Sequence, residues 1–178
     1  MLCCIQWPCV MTMTKLNNYR QIIGYSYLLY IVVIVPVSLL HELGHTAVCS
    51  VGGYQFRIWL DFRGGHSICH GILGNNSVIA AMGGIFGLIA SLGILAIWYC
   101  FSKKIVALAV VSLALALDQG LKIFLEVFFP RQYSAGMFDL LITILQIISV
   151  ALFAIYFARK QREKSNHLSL HKELGLET

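Results

Sequence analysis

Four apolar stretches constrain this chain more than any other feature. They run from Ile22 to Val51, Ser77 to Phe101, Ile105 to Phe129 and Met137 to Ala158. At about 1.5 Å of rise per residue, each can cross roughly 30 Å of hydrocarbon as a helix. A bilayer offers no water to a free peptide group, so a single spanning segment must close its own hydrogen bonds, and the helix does so. With 58% hydrophobic and 12% charged residues and a mean hydropathy of +0.78, little is left for the polar shell of a separate soluble domain. The expected fold is an all-α membrane protein of about four transmembrane helices with a short β-hairpin between the first and second.

The position of the charges orients it. Lys15, Arg20, Lys103, Lys104, Arg159, Lys160, Arg162, Lys164 and Lys172 fall on one side of the four spans, and Arg57, Arg63 and Arg131 on the other. The excess of basic residues marks the cytoplasmic side, so both termini are expected there. Residues 1–21 then form an N-terminal cytoplasmic segment, 22–158 the membrane domain and 159–178 a basic cytoplasmic tail. The start lacks both a basic region ahead of an apolar core and a small-residue cleavage site, so the first helix is expected to be retained. The basic tail suits anionic lipid, and no nucleic-acid motif accompanies it. The six cysteines form no CxxC pair. Cys49 and Cys69 are placed to pair only if their side of the membrane is oxidising, and ordinary thiols are the default.

Between the first two spans the pattern changes. Gly52-Gly53 stops the first helix. Residues Tyr54–Phe62 partly alternate apolar and polar, Arg63-Gly64-Gly65 supplies a turn, and His66–Leu73 follows, which together predict a hairpin at the membrane surface. His66 and His70 are four apart, but four strand residues span roughly 13 Å, so they read as surface or lining residues. Gly83, Gly87 and Ser91 make a small-residue stripe that lets another helix approach the second span.

The chemistry concentrates in His41-Glu42-Leu43-Gly44-His45, late in the first span, with Pro36 five residues earlier. On a helix, His41 and His45 share a face and can present two imidazoles to one metal ion, with Glu42 beside them as general base. Zinc held by neutral imidazoles lowers the pKa of bound water towards neutrality. Two histidines and a carboxylate within hydrocarbon are costly, which makes them functional candidates. A catalytic zinc site needs a third protein ligand. Asp118, Glu126 and Asp139 are the candidates. Asp118 and Glu126 flank Lys122 at four-residue spacings, which gives Asp118 in particular a counter-ion. Asp139 enters the fourth span from the end where the motif lies. Depth therefore favours Asp139, with Asp118 as the alternative.

From His41 to about Leu145 the chain resembles the site-2-protease-like intramembrane zinc metalloproteases, the M50 superfamily. The likeness rests on HELGH late in a span, the surface hairpin, the glycine-rich second span, and Phe128-Phe129-Pro130 followed by Phe138-Asp139. In that family an aspartate after a proline segment is the third zinc ligand, so the resemblance implies that role for Asp139. The chain departs from the family pattern in lacking the usual asparagine, in carrying Leu140 where glycine is usual, and in its longer linker from Pro130 to Asp139. The expected activity is zinc-dependent hydrolysis of peptide bonds in membrane-protein or peptide substrates, with His41, His45 and Asp139 as ligands and Glu42 as base. A substrate helix must unwind to expose its peptide bond, and the hairpin offers strand pairing to the unwound segment. The alternative is a non-catalytic pseudoprotease or metal-binding membrane protein that binds membrane helices.

Overall fold

The computed structural model describes residues 19–61, 64–71, 77–101 and 105–173. Four long helices carry the fold: α1 (Tyr19–Val51), α2 (Ser77–Phe101), α3 (Val106–Phe128) and α5 (Asp139–Glu173), with a five-residue helix, α4 (Pro130–Ser134), leading into the last. Each long helix contains an apolar stretch long enough to cross a bilayer. Their outward faces carry Leu28, Ile31, Ile89, Leu140 and Leu152, all at least 60% exposed. A continuous apolar exterior of that kind calls for lipid. The expected four-helix membrane fold with its hairpin is therefore present. The first helix runs unbroken through Pro36. The fourth continues past the apolar span to Glu173, so the basic segment after Ala158 extends the helix. The segment ahead of Tyr19 with its three cysteines, and the Asn75-Asn76 pair of a glycosylation sequon, lie outside the described residues.

α3 is the central helix. Of its apolar window 50% is buried, against 17%, 22% and 22% for the others. Val110, Val111, Ala114 and Leu115 of α3 pack against Val37 of α1 and Val150 and Ala154 of α5 in one apolar core. That core fills the half of the bundle holding the N-termini of α1 and α3. The opposite half, where α1 and α3 end and α2 and α5 begin, holds the buried polar residues His41, Glu42, Asp118, Gln119 and Glu126.

α1 ends as its glycines dictate. Gly53 takes φ +73°, the Tyr54 N–H donates to the Cys49 carbonyl at 2.9 Å, and the Gly53 N–H donates to Ser50 O at 3.1 Å. This six-to-one and five-to-two pair closes the helix and reverses the chain, and a left-handed backbone there favours glycine. The chain then enters β1 (Gln55–Asp61), which pairs antiparallel with β2 (Gly64–His70), Phe56 opposite Cys69 and Ile58 opposite Ser67. β2 begins two residues earlier than the sequence pattern suggests, so Gly64 and Gly65, expected in the turn, pair with Asp61 and Leu60. The hairpin folds back onto α1, and Cys49 and Cys69 form a disulfide. The pairing left open by the sequence is thus made.

Candidate metal centre

His41 and His45 stand one turn apart on α1, and each imidazole is oriented by its Nδ1. Gln119 of α3 donates from Nε2 to Asp118 Oδ2 at 3.1 Å, since a carboxylate only accepts. The same amide therefore turns its oxygen towards His41, whose Nδ1–H donates to Gln119 Oε1 at 2.8 Å. His45 donates from Nδ1 to the Ile79 carbonyl of α2 at 2.6 Å. In both rings the Nε2 lone pair is left to point inward, and the two Nε2 atoms lie 3.2 Å apart. Hydrogen bonds of this type to the far ring nitrogen fix tautomer and ring orientation in metal sites.

The carboxylate facing them is Glu126, near the end of α3. Its Oε1 lies 3.1 Å from His41 Nε2 and its Oε2 lies 3.8 Å from His45 Nε2. Oε2 is buried with no hydrogen-bond partner. Two imidazole nitrogens and a carboxylate converge here, a donor set that suits a shared cation. Donors about 2.0–2.1 Å from a tetrahedral zinc ion lie roughly 3.3 Å from one another. The observed spacings of 3.1, 3.2 and 3.8 Å fit that polyhedron. The donor atoms of His41, Glu42 and His45 also lie within 4.8 Å of one another, which brings the expected base to the same point.

Asp118 and Asp139 are placed differently. Asp118 is buried in an ion pair with Lys122 at 3.1 Å and accepts from Gln146 Nε2 at 2.8 Å and from Gln119. It acts behind Gln119, one step removed from the imidazoles. Asp139 is exposed at the first turn of α5 and lines the rim of the same cleft. Among the described residues, no hydrogen bond or ion pair joins it to either histidine. The sequence reading preferred Asp139 because it re-enters from the correct end, but depth alone does not say which side of a helix faces inward. Gln119 and Glu126 are seven apart, about 20° short of two full turns, so they share a direction on α3. That spacing was the available signal for both.

Glycines give the site its room. A Cβ on Gly83 of α2 would overlap the His45 imidazole at Nε2, and one on Gly87 would overlap the Gln119 amide. The Gly83–Gly87–Ser91 stripe serves helix packing as expected, and it also admits the imidazole and the amide. Gly44, inside the motif, faces the Met82 carbonyl and the Gly83 Cα so closely that a methyl group would collide with α2.

The site opens into a cleft of about 1740 Å³. β2 covers it, Ile34, Val35 and Ser38 of α1 and Ile142, Thr143 and Gln146 of α5 form its flanks, and Tyr133 of the α4 turn closes one side. Burial, and then the charge of Glu126, raises the Tyr133 phenol above its ordinary pKa, so it remains a proton-bearing donor. His66 stacks on Trp59 at 5.3 Å, and neither His66 nor His70 belongs to the donor cluster found among the described residues. No protein-family model, curated protein or solved structure matches this chain.

Proposed function

We propose that this chain is a membrane-embedded zinc endopeptidase that hydrolyses peptide bonds of membrane-protein substrates. The observation that carries the reading is the convergence of His41 Nε2, His45 Nε2 and the Glu126 carboxylate at 3.1–3.8 Å, with Glu42 beside them beneath an open cleft. His41, His45 and Glu126 would hold the zinc ion, with Glu126 taking the place expected of Asp139. Zinc bound there supplies a Lewis acid and makes water nucleophilic near neutral pH. Glu42 takes the proton of the attacking water and delivers it to the leaving amine. Gln119 and the Ile79 carbonyl hold the two imidazoles in the ligating tautomer. β2 pairs with β1 along one edge and lines the cleft, so its other edge can pair with an unwound substrate strand. The disulfide lies at the hairpin end, which agrees with an oxidising side there and cytoplasmic termini.

The test is zinc content and cleavage of a membrane-helix reporter by the purified chain in detergent micelles. Glu42→Gln is expected to keep zinc and lose cleavage. Glu126→Ala is expected to lose zinc, while Asp139→Ala and Asp118→Asn retain it. Zinc lost from Asp139→Ala but kept in Glu126→Ala would return the third ligand to Asp139. A zinc-loaded protein whose biological activity survives Glu42→Gln would identify a non-catalytic metal-binding protein.

A further inference from the structure

Successive residues of a strand face opposite ways, and on β2 the residues that face α1 are Gly65, Ser67 and Cys69. Each meets α1 differently. A Cβ on Gly65 would come within 2.6 Å of Glu42 Cγ and 3.2 Å of the Ser38 carbonyl, so glycine lets the strand lie directly on the helix. Two residues on, Ser67 Oγ–H donates to Glu42 Oε2 at 2.6 Å. Two further on, Cys69 is bonded to Cys49, seven residues along α1 from Glu42 and 1% exposed.

We propose that this face of β2 sets the catalytic base: Ser67 is the positioning residue for Glu42, and the Cys49–Cys69 bridge holds Ser67 in place. The inference rests on the proteolytic reading above. A glutamate side chain has three rotatable bonds, and nothing in the α1 backbone selects the rotamer that serves the metal centre. The Ser67 hydroxyl fixes one carboxylate oxygen and leaves the other for the water. Ser67 can do so only while β2 lies against α1, and the bridge two residues away ties that strand to the helix. The hairpin therefore contributes to the turnover step as well as covering the cleft, since catalytic groups misplaced by about 1 Å can cost 10²-fold in rate. Reduction of the bridge takes two electrons. A dithiol such as dithiothreitol supplies them, becoming its cyclic disulfide as Cys49 and Cys69 become thiols.

The experiment uses the full zinc-loaded chain in micelles and reads kcat, KM and zinc content. Ser67→Ala is expected to lower kcat about tenfold with KM and zinc unchanged, because orientation of the base is lost and binding is not. Ser67→Thr keeps the hydroxyl and should recover most of the rate. The paired change Cys49→Ala with Cys69→Ala should reproduce the loss, and adding Ser67→Ala to it should lower kcat little further, since both act through one contact. Fully additive losses, or a Ser67→Ala enzyme with wild-type kcat, would overturn the proposal. A second measurement does not depend on cleavage. The infrared difference between wild type and Glu42→Gln isolates the Glu42 carboxylate band. Ser67→Ala and dithiothreitol are expected to shift it alike. An unmoved band in the reduced protein overturns the tie between bridge and base. A shifted band in a protein that cleaves nothing supports the tie and removes the proteolytic reading.

Discussion

At the residue scale, the site is defined as much by missing side chains as by present ones. Gly83 leaves the space that the His45 imidazole fills, whereas Gly93 on the same helix has no neighbour within 4 Å of an added Cβ. Gly83→Ala is expected to strip zinc from the protein, and Gly93→Ala to leave metal content and thermal stability unchanged. Equal zinc in the two variants would sever Gly83 from the site. Gln119, one hydrogen bond behind His41, makes a comparable test. Its oxygen holds His41 Nδ1–H, so Gln119→Leu should weaken zinc binding about 10–100-fold, measured by competition with a chromogenic chelator. The histidines and Glu42 were legible in the sequence because their spacing carries their chemistry. Glu126 was visible as a candidate but not as the facing carboxylate, since its choice depends on how α3 is rotated.

At the scale of elements, α3 carries two polar tasks on adjoining turns. The buried Asp118 pairs with the half-buried Lys122, and Gln119 and Glu126 reach the imidazoles. Lys122→Met would leave the Asp118 carboxylate with amide donors alone. Removing one partner of a buried pair costs about 3 kcal/mol or more. The variant should therefore unfold well below wild type on heating in micelles, and an unchanged transition would show that the amides alone suffice. Span limits were readable to within a few residues at most ends, because apolar length is set by the bilayer. The hairpin was readable from Gly52-Gly53 and the partial alternation, but Gly64 and Gly65, expected in its turn, are paired strand residues. Its lock onto α1 was not, because a disulfide between residues 49 and 69 requires the strand to fold back, which local pattern does not encode.

At the scale of the molecule, stability and chemistry occupy opposite halves. The apolar core of Val110, Val111, Leu115 and Val150 lies in the half away from the hairpin, and the polar centre lies under it. On the orientation proposed from the charges, Cys100, an exposed free cysteine at the end of α2, would lie on the cytoplasmic side. With Cys3, Cys4 and Cys9 replaced by serine, a membrane-impermeant maleimide should label Cys100 only after cells are permeabilised. Labelling of intact cells would invert the topology.

The packing of Gly44 against α2 changes what the pentapeptide can be taken to specify. Gly44 lets the Met82 carbonyl and the Gly83 Cα sit against α1, and the Ile79 carbonyl that orients His45 belongs to the same helix. The Gly44 position between Glu42 and His45 is thus an assembly instruction: it sets the distance at which a neighbouring backbone becomes part of the site. A chain with the same two histidines and glutamate, but a bulkier spacer, would push α2 away from α1. It would then need another acceptor to orient its second imidazole.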